Sequence, residues 1–146
     1  MDEFDYEEYE RRCEVRRQEN ARYLAWFEES LENAGLAEKT VRRHLENVEF
    51  YLNVFLLRCE PLEMEQGCFM ADEFLGDFFI RKCMWSTPSS IRSNAASFKK
   101  FYKCMLGHGA VEKESYDCLI ETIREDMEFW TEDCGQFNSG GVNPFW

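Results

Sequence analysis

The sequence predicts an all-α fold, a four- to five-helix orthogonal bundle, on three observations. Apolar residues recur at alternating spacings of three and four, the helical period, most clearly at Val41, Leu45, Val48, Leu52, Phe55 and Cys59. Helix starts and stops separate such stretches: Gly35, Pro61, Thr87-Pro88 and Gly107-His108-Gly109. Finally, 146 residues at 45% hydrophobic content suffice for one core and are too few for two ordinary domains. With 13 Phe and four Trp, that core should be rich in rings.

Residues 1–19 form an acidic lead-in helix or extension. Tyr6, Tyr9 and Cys13 recur at three and four, which permits a helix, but so little apolar surface implies one that is partly solvated or leans on a partner. A stronger helix is expected from about Glu19 to Ala34, where Tyr23, Leu24, Phe27, Leu31 and Ala34 make one stripe and Gly35 supplies a left-handed stop. The seam from Val41 to Cys59 defines the next, starting near Glu38 and closed by Pro61. Residues 61–67 read as a loop.

A further helix is expected over Ala71–Met84, burying Phe74, Leu75, Phe78 and Phe79. Gly76 within it costs about 1 kcal/mol in helix propensity relative to Ala, which marks the close approach of another backbone. Ser86-Thr87-Pro88 then announces a helix, because a hydroxyl at the cap satisfies free N–H groups and proline in the first turn presets the backbone. At about 100° per residue, Ile91, Ala95, Phe98, Tyr102 and Met105 fall on its inner side. Arg92, Lys99, Lys103 and, at the margin, Lys100 fall on the outer side. The last helix is expected from Lys113 to Asp133, with Tyr116, Leu119, Ile120, Ile123, Met127 and Trp130 inside. Residues 134–146, with Ser139-Gly140-Gly141 and Asn143-Pro144, read as an irregular tail whose terminal Phe145 and Trp146 could dock in a groove.

Charge supplies the functional clue. From Phe78 to Val111 the chain holds six basic residues (Arg81, Lys82, Arg92, Lys99, Lys100, Lys103) and no acid, although its formal net charge is -12. Outside this window 11 basic residues face 29 acidic ones. An acid-free basic strip can meet phosphates while the remaining surface stays negative.

Other classes are disfavoured. The seven cysteines are odd in number, spread out and never spaced C-x-x-C, so they read as free, mostly buried thiols of a reducing compartment. His44 and His108 lie at no recognised ligand spacing from a cysteine, and neither a metal nor a cofactor is expected. No apolar run approaches the roughly 20 residues that span a bilayer, and the N-terminus lacks a secretory pattern. A soluble, cytoplasmic protein without a membrane partner is the expectation. Phosphate-loop and dinucleotide glycine patterns are absent, and no nucleophile has a histidine at a suggestive position, so no enzyme is expected.

Two stretches carry a resemblance. Tyr23-Leu24-Ala25-Trp26-Phe27, then Gly35 through His44, then a long apolar helix to Leu57, looks like the start of the SAM-like N-terminal core-binding domain of phage integrases and other tyrosine recombinases. Ser86 to Met105, a serine-rich start before a basic, aromatic-rich run, is similar to that domain's last long helix. The resemblance covers roughly residues 20–130, within a core-binding-like helical domain of residues 20–133, and implies a non-catalytic, integrase-like domain that binds duplex DNA and is accessory to DNA integration or recombination. By position it implies contacts from Lys39, Thr40, Arg42 and Arg43 on one helix. On the other it implies Thr87, Ser89, Ser90, Arg92, Asn94, Lys99, Lys100 and Lys103, with Arg92 or Asn94 in reach of base edges.

The chain departs from the family in three ways. No H-x-x-R follows His44 or His108, and the catalytic half is missing. Ala37 stands where the family commonly has a hydroxyl cap. The acidic balance opposes DNA wherever carboxylates border the strip. The alternative is a protein-interaction module whose strip meets a recombinase, another acidic protein or a second copy, anchored by Trp85, Phe145 or Trp146.

Overall fold

The structure, a computed structural model, describes residues 5–141 and is all-α, with no strand among the described residues. Helix α1 spans Tyr6–Asn33, α2 Glu38–Phe50, α3 Ala71–Glu73, α4 Phe79–Lys82, α5 Pro88–Gly107 and α6 Lys113–Gly141. A π-helical turn over Tyr51–Phe55 prolongs α2, another over Phe74–Phe78 joins α3 to α4, and Met64–Phe69 forms a 3₁₀ helix. The contacts divide the chain into two compact units, residues 1–67 and 68–146.

In the first unit the expected lead-in and the helix after it are one helix of 28 residues. Asp5 caps it, accepting from the Glu8 N–H at 3.1 Å, and Glu7 and Glu8 complement the positive end of the helix dipole. Its acidic half is held down at several points. The Leu57 carbonyl accepts from both the Tyr9 hydroxyl and, at 3.9 Å, the Cys13 thiol. Arg16 reaches Glu63 at 3.0 Å, and buried Asn20 donates to Asn53 at 2.8 Å. The Cys13 thiol first, then burial, push the Tyr9 phenol up to about 12. Phe27 and Leu31 are buried as expected, but Ala34 is exposed. Gly35 stops the helix at φ +80°, with its N–H on Glu32 and that of Leu36 on Leu31.

Ala37 occupies the cap position of α2 with extended backbone and no side-chain hydrogen bond. Ala37→Ser is expected to leave stability unchanged or raise it by about 1 kcal/mol. A clearly lower midpoint in thermal melts would contradict a serviceable cap there. Val41, Val48, Leu52 and Phe55 are buried, but the helix ends before exposed Cys59. In the π turn the Leu56 N–H reaches back five residues to Tyr51 at 3.0 Å. Tyr51, Leu52, Phe55, Leu56 and Leu57 are all buried, a wider apolar set than one α-helical stripe accommodates. Arg58 closes this end, donating to the Phe55 carbonyl at 2.9 Å with its guanidinium 3.9 Å from the Phe55 ring centre.

In the second unit Phe74, Leu75 and Phe79 are buried as expected and Phe78 is half-buried. Phe74 lies within 5.9 Å, centre to centre, of the rings of Phe78, Phe79 and Phe98. The helical run ends at Lys82 rather than Met84, because Cys83 turns extended. Gly76 does mark a close approach, but by a side chain and not a backbone. A Cβ there would stand 2.9 Å from Trp130 Nε1, whose N–H donates to Asp72 at 2.7 Å.

Helix α6 runs to Gly141 instead of stopping at Asp133, so residues 134–141 of the expected irregular tail are helical. Leu119, Ile123 and Trp130 are buried and Tyr116, Ile120 and Met127 half-buried. The seam continues through buried Cys134 to Asn138, which donates to the Ser86 carbonyl at 3.0 Å. Phe145 and Trp146 lie outside the described residues.

Candidate nucleic-acid interface

Helix α5 is built in two layers by its own sequence. Ile91, Ala95, Phe98, Phe101, Tyr102 and Met105 recur at three and four, are buried, and fix the helix in the second unit, mainly against α6. The opposite side presents Ser89, Arg92, Lys99, Lys100 and Lys103 to solvent. Successive steps of seven and four residues keep Arg92, Lys99 and Lys103 on one line, about 16 Å long at 1.5 Å per residue. Among the described residues no carboxylate lies within 4.0 Å of any of these four cations.

The start of α5 is a capping box. Thr87 Oγ1 accepts from the Ser90 N–H at 3.0 Å, Ser90 Oγ accepts from the Thr87 N–H at 2.7 Å, and Pro88 opens the first turn. Thr87 and Ser90 therefore serve the helix itself. Asn94 does so too. It is 5% exposed and its amide donates to the Ser90 carbonyl at 2.9 Å, so it is a buried group of the helix and not one that faces a base edge.

Arg81 of the same basic window also has an internal role. It pairs with Asp77 at 3.5 Å and Asp133 at 3.7 Å, and its guanidinium stands 5.5 Å from the Phe137 ring centre. The acid-free window is thus not an ion-pair-free one, since carboxylates before and after it in sequence reach its first arginine.

In the first unit Lys39, Arg42 and Arg43 are exposed and Thr40 half-buried on the opening turns of α2. Their surroundings are acidic. Arg42 pairs with Glu38 at 3.2 Å and shares the lining of a surface groove of about 280 Å³ with Glu28, Glu32 and Glu38. The two groups of candidate contacts differ accordingly: among the described residues the four cations of α5 have no carboxylate partner, whereas on α2 Arg42 is paired with Glu38.

Burial pushes the Cys83 and Cys134 thiols up, away from the reactive thiolate. Among the described residues no three His, Cys, Asp or Glu side chains gather as a metal-binding group, and no helix is long and apolar enough to cross a membrane. Sequence reasoning missed Met84, expected inside a helix and in fact fully exposed at 100%, next to Trp85 at 60%. The signal was the serine-threonine-proline start just behind them, which forces the chain out of one helix before it enters the next. No protein-family model, curated protein or solved structure matches the chain.

Proposed function

We propose that this chain is a non-catalytic DNA-binding helical domain that meets duplex DNA through the outer face of α5, in the manner of a recombinase core-binding domain and accessory to DNA integration or recombination. One observation carries the reading: Arg92, Lys99, Lys100 and Lys103 stand exposed on one helix with no carboxylate partner among the described residues. Four unneutralised cations on a protein of net charge -12 need counterions, and a phosphate backbone provides them in a row. The buried inner face of α5 fixes the helix so that Arg92, Lys99 and Lys103 project along one line, with Lys100 at its margin. The resemblance of Ser86–Met105 to the last long core-binding helix points the same way.

The test is fluorescence anisotropy of a labelled random-sequence duplex, titrated with the protein at several salt concentrations beside an Arg92→Ala/Lys99→Ala/Lys100→Ala variant. Binding by the native protein that weakens with salt, and roughly 10²-fold or greater loss in the variant at low salt, is expected. Absence of binding at low salt would sink the reading. In that case the protein-interaction alternative gains, favoured by exposed Met84 and Trp85 beside the start of the basic face, which suit an apolar anchor flanked by charge.

A further inference from the structure

The geometry points to recognition of the phosphate backbone by charge alone, without reading sequence, at the outer face of α5. The inference rests on the DNA reading above and specifies its mode. Sequence is read in a groove by side chains that present a fixed pattern of donors and acceptors, chiefly amides, hydroxyls and bidentate arginine. On α5 most of these short polar groups are turned onto the helix, exposed Ser89 being the exception. Asn94 donates to the Ser90 carbonyl at 2.9 Å, Ser97 to the Ser93 carbonyl at 3.1 Å, and Thr87 and Ser90 close the capping box. Three of the four outward heads are lysine ammonium groups, point charges on flexible stems that suit phosphate and discriminate poorly between bases. Arg92 and exposed Ser89 are the remaining candidate readers, and a lone hydroxyl, which can donate or accept, discriminates little between bases.

Counterion release gives this inference a measurable form. Neutralising four phosphates predicts a slope of about -3.6 in log Kobs against log salt, and each cation removed should reduce its magnitude by about 0.9. The experiment compares the native protein with Arg92→Ala, Lys99→Ala and Lys103→Ala for slope, and with Arg92→Lys for affinity, on random duplex. A round of selection from a randomised duplex pool accompanies it. Expected are a slope smaller in magnitude by about 0.9 in each alanine variant, affinity within about twofold for Arg92→Lys, because charge is kept while bidentate geometry is lost, and no enriched motif.

An enriched motif whose enrichment disappears in Arg92→Lys would overturn charge-only recognition while leaving DNA binding intact. Slopes unmoved by all three alanine variants would overturn α5 as the phosphate-contacting face. No binding at low salt would remove the underlying DNA reading as well. Circular dichroism of each variant separates these results from a loss of fold, and the exposure of all three side chains leads us to expect native spectra.

Discussion

Trp130→Ala is expected to lower the unfolding free energy by about 3–5 kcal/mol, the range for deleting a buried large ring. Trp130 is fully buried on α6, its indole N–H donates to Asp72 at 2.7 Å, and its ring edge fills the space over Gly76. The substitution opens a cavity and removes the hydrogen bond together. Trp130→Phe separates the two effects, keeping most of the ring and losing the donor, and should cost only about 1–3 kcal/mol. Gly76→Ala tests the same contact from the other side. Helix propensity favours Ala by about 1 kcal/mol, but the new methyl would stand 2.9 Å from an indole nitrogen that burial prevents from withdrawing. Overpacking of about 1–3 kcal/mol should prevail. Urea denaturation followed by far-UV circular dichroism checks all three. A change below about 1 kcal/mol for Trp130→Ala would show that the ring does not fill the core in this way.

In the first unit the largest effect is expected at Tyr51, where Tyr51→Ala should also cost about 3–5 kcal/mol. The ring is fully buried in the π turn and stacks on Phe55 at 5.5 Å between centres, and its hydroxyl donates to the Gly67 carbonyl at 2.7 Å. That bond ties the start of the π-helical extension of α2 to the 3₁₀ segment sixteen residues on. Tyr51→Phe keeps the stack and leaves the carbonyl without its donor, at an expected cost of about 1–3 kcal/mol. Equal losses for the Phe and Ala variants would put the whole contribution on the hydroxyl, contrary to the burial of the ring. Against a native stability commonly about 5–15 kcal/mol, either alanine variant would remove a large share of the total.

The candidate site divides along the same lines as the fold. The outward position of Arg92, Lys99 and Lys103 was legible because it needs only the helical period and the apolar residues that oppose them. The inward turn of Asn94 was not, since an asparagine at the edge of an apolar stripe can face either way until its neighbours are placed. Arg42 shows the same limit. Its pairing with Glu38 is a local four-residue relation, but the carboxylates of Glu28 and Glu32 reach its groove only through the turn at Gly35.

What the sequence by itself determined are the features that act within about one helical turn. These are the stops at Gly35 and Gly109, the hydroxyl cap at Thr87 with Pro88, the bare cap at Ala37, the buried faces of α2 and α5, and the basic outer face of α5. Only the tertiary structure decided features whose partners lie far along the chain. The acidic start of α1 belongs to one long helix because Tyr9 and Cys13 share the Leu57 carbonyl, 48 and 44 residues away. Gly76 is required by Trp130, whose hydrogen bond to Asp72 spans 58 residues, and α6 passes Gly135 because Asn138 reaches Ser86 across 52. A propensity is summed over neighbours and sees none of these, whereas burial and a satisfied polar group outweigh the modest propensity costs they impose.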